Sequence, residues 1–590
     1  MVSLPIVNTR GAGEGTYWAI VEARDEATGG VGLEDDLVTP FAVSGYSTYQ
    51  LVQLTVGPPT GNAPVAVISE PCDNVTYFPA EEPIPLSGAG SMDAETPEAQ
   101  LTFEWDLDWS GDPADFQPNR EGRDITWTPE LGTSGPRTIG LRVTDTEGLS
   151  GYASIDIKIA DVPGGPFSNR VNITNSPDRE EDIGRAQTGF DRDHVIVDAQ
   201  GKVHVFSLTE FFDTEVTTYD PATGESEPSV KLYETQYLYS VPIVRMAPDG
   251  TIHLLYMAAD RFDDNGYERP TMETRTYDPV ARTASEAIVL AEWATPQPPV
   301  PATNIPHMQG ISFDINSRGE MVAVYEEWWW TYNAGEFAPQ YAHKMFYVRN
   351  PGTGWEAPRE VPWTIFTAEV DSPEIGPMRS RPDIRATGDD LFHAIYVNNP
   401  EADEDGPLVL YHRTYDFTKD RWGEPMEAHN SGTKFSYKQL QLFPAANGDL
   451  VVLFQRSFNQ IYYLHYGAAA MQWEGPHLMA DPARTGGIAW HSIATAAVTD
   501  SGIVFVAFQA LNPAPLPDLE ELYYSWFPLT ATAQEVLDAP KVPIEICFGA
   551  EGQREPQFGI DGARNRMYLI YENPEDVPEN DLWVASKALP

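Results

Sequence analysis

The chain has 590 residues, 88 acidic and 37 basic, giving a formal net charge of −51. So negative a surface repels a phosphate backbone and argues against nucleic acid as a partner, and no apolar run approaches the roughly 20 residues of a membrane-spanning helix. Two cysteines, Cys72 and Cys547, exclude a disulfide-stapled scaffold and a cysteine-based zinc cluster.

The start, MVSLPIVNTRGAG, has neither the basic nor the apolar stretch of an export signal. Acid spread along the whole length suits a salty medium outside the cell, cation binding or plain solubility; an extracellular or cell-surface location is the expectation. Within residues 1–60, GTYWAIVEARDEATGG and STYQLVQLTVGP read as late strands of a β-sandwich. They are expected to be the tail of an upstream immunoglobulin-like module or a reduced domain, which allows association with upstream domains of a larger extracellular protein. GPPTGNAP (57–64) reads as a linker.

Residues 61–162 carry short strands with alternating apolar positions, the pattern of a β-sandwich. LSGAGSMD (86–93), FEWDLDWSGD (103–112) and IGLRVTDTEGLSGYASIDIKI (139–159) together resemble the PKD family, an immunoglobulin-like module of secreted and surface proteins. The resemblance places Trp105 in the sandwich core. Asp106, Asp108, Ser110 and Gly111, followed by Asp112 and Asp115, space oxygen ligands as in the first half of a calcium loop, although Gln117 stands where an EF-hand has its bidentate glutamate. Calcium binding there competes with an acidic turn held by Asx hydrogen bonds. Calcium is the one cofactor these residues suggest; no organic cofactor is expected.

Residues 163–590 repeat one pattern seven times, at spacings of about 50 to 72 residues: HVIVDAQGKVHVF (194–206), IVRMAPDGTIHLLY (243–256), ISFDINSRGEMVAVY (311–325), DIRATGDDLFHAIY (383–396), QLFPAANGDLVVLF (441–454), AAVTDSGIVFVAF (496–508) and FGIDGARNRMYLIY (558–571). β-rich runs joined by Asp, Asn and Gly are hairpins, and such repetition with room for two further strands per unit predicts a β-propeller. The fold class expected is all-β: a seven-bladed β-propeller preceded by a PKD-like β-sandwich and a partial β-sandwich segment. A six-bladed ring with one hairpin outside it is the alternative. SNRVNITNSP (168–177) is expected to supply the outer strand that the last unit, ending in DLWVASKAL (581–589), lacks.

Residues leading into each innermost strand should gather round the axis: Asp193 and His194, Tyr239, His307, Arg381, Tyr437 and Lys438, His491, Arg554 and Glu555. His307, His491, Tyr437 and Glu555 are candidates for proton transfer, Arg381, Lys438 and Arg554 for holding a ligand carboxylate, and His194 for ligand contact or catalysis. The plainer reading is a wet channel lining without chemistry. EEWWWTYNAGEF (326–337) reads as a loop in which Trp328, Trp329 and Trp330 could stack on sugar faces beside Glu327, or plug the space between blades.

This region resembles the propellers of secreted sialidases and polysaccharide lyases, on architecture and on vestiges of the Asp-box, NPGTGW (350–355) and TKDRW (418–422). The Arg-Ile-Pro element of sialidases is absent; SRPDI (380–384) is its nearest echo. Three functions stay open: a secreted or surface glycan-binding protein, a polysaccharide lyase or glycoside hydrolase at the propeller funnel, and a structural or adhesive part of an extracellular assembly. The partner expected is a polysaccharide or surface glycan, without membrane insertion.

Overall fold

The computed structural model describes residues 15–23, 48–56, 62–71, 77–174, 181–182, 193–209, 213–234, 241–262, 268–292, 307–332, 339–362, 366–369, 382–398, 408–432, 437–456, 460–480, 490–511, 520–545, 554–576 and 579–590. The chain is all-β; its one described α-helix, Ala533–Asp538, is capped by Thr532 and Glu535. No described helix is long and apolar enough to cross a membrane. Two compact units are present, one of residues 1–69, 87–125 and 139–155, the other of residues 70–86, 126–138 and 156–590.

In the first unit, Gly15–Ala23 pairs antiparallel with Thr48–Val56. Strand Thr102–Asp106 pairs on one edge with Arg120–Glu121 and on the other with residues 140–144. Alternation along Thr102–Asp106 sends Phe103 and Trp105 inward. Trp105 is fully buried, and its indole N–H donates to the Gly122 carbonyl at 2.8 Å, which satisfies the one polar atom such a core tryptophan brings.

In the second unit, seven sheets of four or five strands are described between residues 168 and 588. Their innermost strands are Val195–Val197, Ile243–Met246, His307–Ile315, Asp383–Thr387, Tyr437–Pro444, Trp490–Val498 and Arg554–Asp561. Each is joined by a tight turn to a second strand, then a third and an outer one. Each innermost strand touches the next, and the seventh touches the first. That closed cycle is a β-propeller. The turns have a local cause: in the first sheet Asp198 Oδ1 accepts the N–H groups of Gln200 and Lys202, both at 2.9 Å, while Gly201 takes the positive φ that the reversal needs.

Seven apolar clusters, one per pair of neighbouring sheets, hold the ring. Each buried Val, Leu or Ile contributes about 1.5–3 kcal/mol. Both ends of the cycle meet in the seventh sheet, where Ser168–Asn172 lies outside the final strand, Glu579–Ala588, with Val171 opposite Val584. Asp581 fastens this seam: it accepts from Asn172 Nδ2 at 2.5 Å and from Thr174 Oγ1 at 3.2 Å, and Thr174 Oγ1 in turn accepts the Leu582 N–H at 2.9 Å.

Candidate functional site

An innermost strand pairs with its sheet on one edge only; the other edge turns toward the next sheet, and its polar groups need partners. Polar side chains supply them round the ring. His194 Nδ1 lies 3.0 Å from the Pro242 carbonyl, joining sheets one and two. Ser312 Oγ donates to Asp383 Oδ1 at 2.6 Å, joining sheets three and four. Asp383 Oδ2 accepts the Leu442 N–H at 2.7 Å, Gln441 Nε2 donates to the Ala494 carbonyl at 2.6 Å, and Gln557 Oε1 accepts the Asp193 N–H at 3.0 Å.

A lattice of charges lies on these strands and, at Asp193, just before the first of them. Arg245 reaches Asp193 at 2.8 Å and Asp314 at 3.0 Å. Arg385 reaches Asp383 and Asp193, both at 2.6 Å. The Asp193–Arg385 contact runs from the first sheet to the fourth, so the axis is bridged at this depth. Burial opposes the charge of Arg245, but the carboxylates of Asp193 and Asp314 outweigh it and raise its pKa above the ordinary arginine value.

This lattice corrects the expectation of an open polar funnel. His194 is fully buried and joins the residues just before the innermost strands of sheets one and two. Tyr437 is buried in the cluster between sheets four and five, with its hydroxyl 2.6 Å from His429 Nδ1. Glu555 is half-buried and takes a left-handed φ of 54°. The cause is a repeated bulge: the ladder shifts register between Gln309 and Ser312, between Lys438 and Gln441, and between Arg554 and Gln557, with Gly310, Gln439 and Glu555 at positive φ. One extra residue reverses the facing of all that precede it.

His307, Lys438, His491 and Arg554 are placed by backbone, opposite Trp328, Gln455, Ala510 and Glu572. All four lie at the end of their hairpin away from its turn. Tyr239, Arg381, Cys72 and Cys547 lie outside the described residues.

The tryptophan run is also relocated. Trp328, Trp329 and Trp330 belong to the strand Met321–Tyr332, paired with His343, Ala342 and Tyr341 of Pro339–Asn350, and not to a loop. Aromatic residues followed by Thr and Tyr favour continued strand. Beside them Glu326 is fully buried, and burial pushes the Glu327 carboxyl up to about 7, against the opposing effect of Lys344. A carboxyl titrating near neutrality can accept a hydrogen bond or donate one, and can move a proton.

In the acidic loop, Asp106 accepts the N–H groups of Asp108 at 3.1 Å and Gln117 at 2.8 Å. Asp112 accepts that of Ala114 at 2.9 Å, and Ser110 Oγ lies 3.4 Å from Asp115 Oδ2. Among the described residues no group of three or more His, Cys, Asp or Glu is placed to hold a metal ion.

Sequence reasoning missed Arg245, Asp314, Asp383 and Arg385. Their signal is a charge inside an otherwise apolar innermost strand, in IVRM, ISFDI and DIRAT. No protein-family model matches the chain, and no curated protein matches its sequence. Among solved structures, it is similar to a polysaccharide lyase of family PL25, an ulvan lyase, bound to -[GlcA(1-4)Rha3S]-, at 9% identity over 71% of this chain and 96% of the other, with a TM-score of 0.44. A protein of unknown function from Dyadobacter fermentans gives 11% identity, 73% and 100% coverage and a TM-score of 0.39. The NanB sialidase of Streptococcus pneumoniae gives 10%, 83%, 92% and 0.32. At such scores these likenesses add nothing to the strand pairing, which by itself makes the second unit a β-propeller.

Proposed function

We propose that the protein is a secreted or surface glycan-binding protein, with the propeller as its recognition head and residues 61–162 as a PKD-like spacer. One observation carries this reading. In the third sheet, His307 stands opposite Trp328, so a polar residue at the open end of the hairpin adjoins three consecutive tryptophans and a carboxyl, Glu327, titrating at about 7. Indole faces suit the C–H faces of sugars, and carboxyl and imidazole groups suit their hydroxyls. The test is retention of the full chain on immobilised polysaccharides: Trp329→Ala and Trp330→Ala abolish retention and leave the melting temperature unchanged. Retention that survives both substitutions refutes the reading.

The same Glu327 gives weight to a second reading, a lyase or glycoside hydrolase, because a carboxyl poised near neutral pH suits proton transfer. It requires new reducing ends or unsaturated products from a polysaccharide, lost in Glu327→Gln. Calcium at Asp106, Asp108, Ser110, Asp112 and Asp115 is a separate proposal, supported by ligand spacing. It requires calcium to raise the melting temperature of the wild type and not of Asp108→Ala.

A further inference from the structure

Three sheets carry a histidine at one equivalent place. His204, His253 and His393 each stand in the second strand of their sheet, directly opposite the threonine of a Thr-Tyr-Asp run: Thr218, Thr276 and Thr414. In the first sheet the ring is fully engaged, with Nδ1 3.0 Å from Thr218 Oγ1 and Nε2 3.0 Å from Asp198 Oδ2. In the fourth sheet His393 Nδ1 lies 2.8 Å from His412 Nε2, and the ring of Trp473 packs edge-on against His412 with centroids 5.4 Å apart. Both copies are buried. The second sheet differs. There the His253 ring makes no hydrogen bond to a described residue, and it lines a cavity of about 700 Å³.

The cavity lies between the outer strands of the second sheet and the turn 350–356 of the third. That turn is fixed by Asn350 Oδ1, which accepts the N–H groups of Gly352 at 2.9 Å and Gly354 at 3.2 Å. Its product is Trp355, packed on one side against the apolar cluster between the two sheets and lining the cavity as well. The indole N–H makes no hydrogen bond to a described residue. Ile288 and Val289 add exposed apolar surface to the lining, and Thr276 and Glu286 add a hydroxyl and a carboxylate.

An aromatic and aliphatic surface beside an imidazole, an indole N–H, a hydroxyl and a carboxylate is the complement of a pyranose ring, apolar on its faces and hydroxylated at its edge. The volume lies inside the roughly 300–1,000 Å³ of ligand pockets. Charge narrows the class. Burial lowers the His253 pKa, with Asp249 opposing, so the ring is neutral at neutral pH. Glu286 and Glu356 line the cavity with one cation, Arg275, whose guanidinium is committed to Tyr256 Oη at 2.8 Å and the Ser285 carbonyl at 2.7 Å; Glu356 is paired with Arg359 at 3.1 Å, which leaves the Glu286 carboxylate as the uncompensated charge. Such a lining repels uronates and sialates. The geometry points to this inter-sheet cavity as a second binding site, for neutral sugar residues of a polysaccharide, independent of the tryptophan strand of the third sheet.

The full chain is titrated with cello-, xylo- and manno-tetraose and with a tetragalacturonate, followed by calorimetry and by the imidazole proton resonances. The His253 resonance is assigned by its absence in His253→Gln. At least one neutral tetraose binds and shifts it, and affinity falls about tenfold in His253→Gln and in Trp355→Ala, one lost polar or stacking contact each. Because Trp355→Ala also loosens packing, Glu286→Ala, at an exposed position, serves as a second variant and weakens binding without lowering the melting temperature. The proposal is overturned if no neutral tetraose binds, if tetragalacturonate binds as well as the neutral sugars, or if binding survives His253→Gln and Trp355→Ala. Loss of binding in Trp329→Ala alone overturns it too, by assigning the sugar to the tryptophan strand of the third sheet.

Discussion

Arg385 places Nη2 2.6 Å from Oδ2 of Asp193, a residue 192 positions earlier in the chain and three sheets away round the ring. The same guanidinium holds Asp383, which is fully buried. Removing the cation leaves that buried carboxylate with hydrogen bonds but without its counter-charge, the costly way to break such a pair. Arg385→Leu therefore lowers stability by about 3–5 kcal/mol, read from the midpoint of urea unfolding. Arg385→Lys recovers little of it, because a single ammonium cannot serve two carboxylates as a planar fork does. A midpoint unchanged in Arg385→Leu would show that the lattice is not structural.

Glu327 makes stability depend on pH near neutrality. Its folded-state pKa, about 7, lies above the ordinary 4.5, so the folded protein holds the proton more tightly than the unfolded chain. The contribution is complete below about pH 4.5 and is lost as pH rises through 7, to about 3 kcal/mol at most. Glu327→Gln should be more stable than wild type above pH 7 and should flatten this slope in thermal melts.

The His393–His412 pair acts in the opposite direction. Burial pushes His393 down to about 4, and burial plus its neighbour pushes His412 down to about 3, both from 6.5. Depressed folded-state values give stability that is present above pH 6.5 and lost as pH falls toward 3, at up to about 1.4 kcal/mol per pH unit per histidine. In His412→Phe the loss of melting temperature between pH 6 and pH 4 should shrink. An identical acid limb in the variant would contradict the assignment.

One carboxylate at the seam of the ring serves two side chains of the strand that closes it. Asp581→Ala leaves Asn172 and Thr174 without the carboxylate they share and costs about 1–3 kcal/mol. Limited proteolysis of the variant should cut near residues 168–174 sooner than in wild type.

Much of this was written locally. The hairpins follow from alternation and from turn residues such as Asp198, whose carboxylate closes the turn within five residues. The core placement of Trp105 came from the family resemblance, and the outer strand before the first hairpin from the strand that the last unit lacks. The axial lattice is not: Asp193, Asp314, Asp383 and Arg385 acquire their meaning only when distant strands meet, and nothing near them in sequence names the partner. The bulges at Gly310, Gln439 and Glu555 cost the reading its register, since only Gly310 is a residue that announces a positive φ. The tryptophan run misled for a different reason. Glutamates flanking it suggest a loop, whereas one-to-one pairing across Pro339–Asn350 keeps it in strand as far as Tyr332.

Joining Ser168–Asn172 to Glu579–Ala588 also sets a timetable for biosynthesis. Val195 and Val203 of the first sheet pack with Tyr568 and Ile570 of the seventh. At about 5–20 residues per second, a ribosome takes roughly 20–70 s to travel between them. Throughout that interval the nascent chain is an open arc with a greasy flank at each end, so its yield in the cell should depend on holdase chaperones far more than the finished ring does.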